Sequence, residues 1–131
     1  MLTSRVKYPY SVAHKSVVLI VEDEFLIRLN AAEMVRELGY EVIEAADADH
    51  AIELLENTAD IAIVFTDIQM PGSMDGLGLL ATVRDRWPPI ALLVTSGQVE
   101  PAVDDLPAGA RFLAKPYVQR QLGQHLHALT G

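Results

Sequence analysis

Cysteine is absent from all 131 residues. That excludes disulfides, zinc–thiolate centres and thiol catalysis. Basic residues are scarce: ten Lys and Arg against eighteen Asp and Glu leave a net charge of −8. So acidic a chain is a poor partner for a nucleic-acid backbone, where affinity comes from neutralising phosphates. The shortage is uneven. Residues 1–15 hold Arg5, Lys7 and Lys15 and no acid, so the remaining seven bases face all eighteen acids, −11. No apolar run approaches the roughly 20 residues that span a bilayer. The N-terminus also lacks the continuous apolar segment of a secretory leader. The expectation is a cytoplasmic protein with no membrane insertion and no nucleic-acid partner.

Half the residues are hydrophobic and 21% are charged, an ordinary globular composition. The length suits one domain with a real core. Residues 1–15 mix polar, aromatic and basic types around Tyr8-Pro9-Tyr10 and read as an N-terminal arm, either poorly ordered or packed on the domain edge. Residues 16–131 read as the domain proper. In it strand and helix patterns alternate: strands at 17–21, 41–45, 61–66, 90–95 and 111–114, and helices at 24–38, 47–57, 77–86, 99–106 and 118–129. Gly39 is positioned to stop the first helix, Asp47 to cap the second, and Trp87-Pro88-Pro89 to end the third. Pro101 and Pro107 limit the fourth to a short piece. Five strands alternating with five helices predict a doubly wound α/β fold around a parallel sheet. Ligands of such sheets sit outside the carboxyl ends of the strands.

The chemistry-bearing residues fall at those ends. Asp67 closes the run Ile61-Ala62-Ile63-Val64-Phe65-Thr66, and Glu22 and Asp23 close Val17-Val18-Leu19-Ile20-Val21. Thr95 and Ser96 follow the fourth strand and Lys115 the fifth. Two like charges about 4 Å apart repel by about 4 kcal/mol at an effective dielectric of about 20, so gathered carboxylates call for a cation among them. Magnesium takes one or two protein carboxylates, keeps waters and binds phosphate oxygens. Three acids, a hydroxyl and an ammonium therefore suit one divalent cation plus a phosphoryl group.

Four motifs in order, Leu19-Ile20-Val21-Glu22-Asp23-Glu24, Thr66-Asp67-Ile68-Gln69-Met70-Pro71 with Asp75-Gly76 behind it, Thr95-Ser96-Gly97 and Phe112-Leu113-Ala114-Lys115-Pro116-Tyr117, make the chain resemble a receiver domain of the two-component response regulators. The resemblance covers residues 17–129 and implies a flavodoxin-like fold of the receiver type. It implies that Asp67 is the phosphoacceptor. Asp23 would bind magnesium, with manganese as a substitute. Glu22 would act through a water on the metal, and the main-chain carbonyl of Gln69 would add a ligand. Lys115 would pair with Asp67 and then with the phosphoryl group. Ser96, or else the adjacent Thr95, would supply the switch hydroxyl; Gly97 after it favours Ser96. Phe112 matches an aromatic position that swings inward, though plain core packing explains it equally well. Lys115-Pro116 would be a cis peptide.

The chain departs from the family pattern in four places. Glu22 stands where Asp is commoner. The loop 71–76 is one residue longer than the commonest form, as in stand-alone receivers. Two hydroxyls adjoin, and the fourth helix is short. The resemblance implies a sensor histidine kinase or phosphotransfer protein as phosphoryl donor. Its downstream protein partner would meet the face of helix four, strand five and helix five, with the chain a monomer or weak dimer. No output domain follows within the sequence, which points to a protein partner or a phosphate-sink role unless such a domain was removed. Two other functions compete. A magnesium-dependent phosphohydrolase needs a second acid two residues after its nucleophile, where this chain has Gln69. A degenerate receiver serving only as a binding surface does not need the intact acids and lysine. His14, His50, His125 and His127 have no metal-binding spacing, and Asp104 and Asp105 read as a solvated face.

Overall fold

A computed structural model describes residues 16–97 and 105–130. The elements are β1 (Val17–Val21), α1 (Phe25–Glu37), β2 (Glu41–Ala45), α2 (Ala48–Asn57), β3 (Ile61–Asp67), α3 (Gly76–Arg86), β4 (Ala91–Ser96), β5 (Arg111–Ala114) and α4 (Gln119–Thr130). All five strands are parallel, in the order β2-β1-β3-β4-β5. The expected arm at 1–15 lies outside the described residues, as does most of the expected fourth helix at 99–106. The described residues therefore hold four α-helices of the five expected, and α4 corresponds to the fifth.

Each local feature has an identifiable cause. The three central strands, β1, β3 and β4, are apolar, rich in β-branched residues and buried on both faces, the pattern that parallel sheets require. Residues alternate along β1: Leu19 and Val21 enter one core with α2 and α3, Val18 and Ile20 the other with α1 and α4. Right-handed crossovers explain this division. The step from β1 to β2 runs in one direction across the sheet and places α1 on one face. The steps from β2 to β3 and from β3 to β4 run the other way and place α2 and α3 on the opposite face. α4 then covers the face that α1 leaves open, with Leu122 and Leu126 fully buried.

Helix ends follow the local chemistry. Asp47 caps α2 by accepting the His50 N–H at 2.8 Å, and Asp75 caps α3 by accepting the Gly78 N–H at 2.9 Å. Gly39, at φ +101°, takes the chain out of α1 in a conformation that suits glycine.

Two boundaries move toward the site. β3 runs one residue further than expected and takes in Asp67, and β4 lies one residue later and takes in Ser96. The hydrogen-bond ladder explains both, since Asp67 faces Thr95 in register and Ile68 N–H donates to Thr95 O at 2.9 Å. The loop after β3 folds back onto the strand, where Gly76 N–H donates to Ile68 O at 2.9 Å. A Cβ on Gly76 would lie 1.9 Å from the Asp67 carbonyl oxygen, with further main-chain atoms within 3 Å. Gly76→Ala should therefore cost at least about 2 kcal/mol, because backbone on both sides must shift. Urea unfolding checks this; an unchanged midpoint would show that the loop does not rest on β3.

Candidate functional site

Ladder bonds extend one residue past each strand and set the site. Glu22 N–H donates to Ala45 O at 3.1 Å and Lys115 N–H to Ser96 O at 3.0 Å. Since a slip of one residue would turn every side chain to the other face, this register is what brings Glu22, Asp67 and Lys115 to one sheet edge. They meet beside the β1/β3 boundary, where the strand order reverses and ligands of doubly wound sheets bind.

Glu22 and Asp67 are 5% and 6% exposed. Between them lies the Lys115 ammonium, which donates to Glu22 Oε1 at 3.1 Å and to Asp67 Oδ2. The remaining carboxylate oxygens are also engaged. Glu22 Oε2 accepts the Glu24 N–H and Asp67 Oδ1 the Gln69 N–H, each at 3.0 Å. Asp23 is exposed. The cation lying between the two buried carboxylates is thus the protein's own ammonium. Among the described residues no three acidic or histidine side chains are grouped to hold a metal ion. The donor set nevertheless fits a hard divalent cation in kind, with three carboxylates and the Gln69 carbonyl supplying only oxygen.

Burial holds the Glu22 carboxyl above its ordinary pKa, against the opposing pull of the Glu24 N–H and Lys115. Burial by itself would lower the Lys115 pKa, but the bonds to Asp67 and Glu22 together outweigh it and raise the value. Burial pushes the Tyr117 phenol up to about 12. Tyr117 packs on Phe65 with ring centroids 5.9 Å apart and closes a small cavity beneath Glu22 and Asp67.

The two adjacent hydroxyls are distinct. Thr95 Oγ1 donates to Leu113 O at 2.6 Å, tying β4 to β5, whereas Ser96 Oγ donates to Gln69 Oε1 at 2.9 Å beside the acceptor. Phe112 is half-buried against the α2/α3 core. The Lys115–Pro116 peptide is cis. Sequence reasoning missed Arg28, whose Nη1 donates to Glu22 O at 2.8 Å while Nε pairs with Glu44 at 3.3 Å. Nothing local signals that role, because the partners come from different elements. It also missed the bond from Ser96 Oγ to the Gln69 carboxamide, having read that side chain as the absence of a second acid.

The family model for the response regulator receiver domain matches residues 18–127. The chain belongs to this family. It is 39% identical over 109 residues to sensor kinase CckA of Brucella abortus, which covers 80% of this chain and 11% of that protein. It is 43% identical over 107 residues to transcriptional regulatory protein PdtaR of Mycobacterium tuberculosis, covering 76% of this chain and 49% of that one. The chain thus spans half or less of these relatives. The receiver domain of hybrid histidine kinase CckA has a similar structure, with TM-score 0.75 and 33% identity over 88% of this chain and all of that one. A response regulator receiver protein from Sinorhizobium medicae shares the fold at TM-score 0.80 and 24% identity, over 89% of this chain and 95% of that one. Receiver domains are signalling modules that work with histidine kinases or phosphotransfer proteins, and the family generally uses Mg2+ in its acidic site. No helix among the described residues is long and apolar enough to cross a membrane.

The raised Glu22 pKa carries a definite sign. A carboxyl that binds its proton more tightly when folded favours the native state below its ordinary value of 4.5, and that contribution is lost as pH rises through the folded pKa. Glu22→Gln should therefore gain stability relative to wild type as pH rises from about 4 to 7. Chemical denaturation across that range checks this; a difference that stays flat or runs the other way contradicts it.

Proposed function

We propose that this receiver accepts a phosphoryl group on Asp67 from a phosphohistidine of a sensor kinase or phosphotransfer protein, in a magnesium-dependent reaction. One observation carries the reading: Asp67 ends the central strand with Lys115 on one carboxylate oxygen and the Gln69 N–H on the other. A carboxylate so held is oriented and still nucleophilic. One oxygen attacks phosphorus, the phosphorus–nitrogen bond breaks, and the electron pair leaves with the donor's imidazole. The product is an acyl phosphate on Asp67.

Lys115 holds Asp67 before transfer and the phosphoryl oxygens after it, so the ammonium stays paired throughout. Ser96 then hydrogen-bonds a phosphoryl oxygen, and Thr95 keeps β4 on β5. Asp23, Glu22, Asp67 and the Gln69 carbonyl would hold Mg2+, or Mn2+ in its place, which supplies charge neutralisation and orientation to the phosphoryl group. Exposed Asp23 has room to turn toward such an ion.

Phosphorylation adds roughly −1.5 to −2 charges at the strand ends. The rearranged strand ends would be read by a protein partner on β5, α4 and the expected fourth helix at 99–106, with half-buried Phe112 moving inward. In this reading the chain turns over no substrate, works in the cytoplasm and is a monomer or weak dimer. Gln69, in the position where a phosphohydrolase needs its second acid, supports it.

Intact-mass spectrometry after incubation with acetyl phosphate tests the reading. Wild type should gain one acid- and heat-labile phosphoryl group only with magnesium, and Asp67→Asn should gain none. An adduct that persists in Asp67→Asn, or no adduct with either acetyl phosphate or a phosphorylated cognate kinase, would overturn it.

A further inference from the structure

The site contains one polar bond that neither charge balance nor cation binding requires. Ser96, 3% exposed, donates its hydroxyl to Gln69 Oε1 at 2.9 Å. The main-chain N–H of the same Gln69 donates to Asp67 Oδ1 at 3.0 Å. Gln69 therefore holds the acceptor carboxylate through its backbone and the hydroxyl through its carboxamide. Ser96 is also fixed at the end of β4, in register with Ala114, and its carbonyl accepts the Lys115 N–H.

We propose that Gln69 is a positioning residue whose carboxamide latches the Ser96 hydroxyl in the resting state and must release it before Ser96 can reach a phosphoryl group on Asp67. The inference rests on the phosphoacceptor reading above. A hydroxyl has one proton to donate, so Ser96 cannot give it fully to both acceptors. A phosphoryl oxygen is charged and is the stronger acceptor, so it takes the proton once present. Gln69 is exposed, and water replaces the donor it loses. The latch therefore does not block the switch. It sets a threshold worth one neutral hydrogen bond, about three- to tenfold in the population of the switched state.

Beryllofluoride with magnesium, a mimic of the acyl phosphate, provides the probe. Its apparent affinity would be measured by amide NMR for wild type, Gln69→Leu, Ser96→Ala and the double variant, with Gln69→Ala as a second way to remove the carboxamide. Gln69→Leu should tighten binding about three- to tenfold while Ser96 is present, and change it by less than about twofold in the Ser96→Ala background. Equal changes in both backgrounds, or weaker binding with both Gln69 variants, would overturn the latch and leave the phosphoacceptor reading intact. Failure of wild type to bind the probe at Asp67 would overturn both, and wild type alone reveals that outcome.

Discussion

One ammonium between two buried carboxylates is the interaction on which this site depends. Glu22 and Asp67 are nearly fully buried, and their mutual repulsion would be costly without Lys115 bonded to both. The three side chains come from β1, β3 and β5, or from the residues just after them, so no short segment can form the contact. The parallel ladder sets it. Glu22 and Lys115 continue the hydrogen bonding of their strands, and Asp67 faces Thr95 in register. The apolar sheet therefore does more than fill a core; it holds a charge cluster in a fixed arrangement.

That arrangement also explains why the resting site differs from a finished metal cage. The net charge of the Glu22, Asp67 and Lys115 trio is negative by one, and exposed Asp23 adds another negative charge beside it. Oxygen donors with unbalanced negative charge suit a hard divalent cation and an incoming phosphoryl group together. The lysine keeps the two acids together. Arg28 serves the same edge from outside, holding the Glu22 carbonyl and pairing with Glu44 on β2.

The strands were legible in the sequence because they depend on local apolar pattern, and the terminal carboxylates because two of those runs, β1 and β3, close on acids. Helix caps such as Asp47 were legible for the same reason. Strand ends moved by a residue where a cross-strand bond decides the boundary, as at Asp67 and Ser96. The distinct roles of Thr95 and Ser96 were not legible, since two adjacent hydroxyls look alike until one is seen bonded to β5 and the other to Gln69. Gly76 showed only as part of a motif; its close approach to the Asp67 carbonyl is a contact between loop and strand. Arg28 gave no signal, and neither did the bond between Ser96 and the Gln69 carboxamide, because the partners lie on different elements.

If the ammonium that balances the two acids is the group that meets a phosphoryl group on Asp67, a crystal structure grown with magnesium and beryllofluoride should show it. Beryllofluoride is expected on an Asp67 carboxylate oxygen, with Lys115 Nζ at hydrogen-bond distance from a fluorine. Beryllofluoride seated on another carboxylate, or Lys115 turned away from it, would show that the ammonium has no such role.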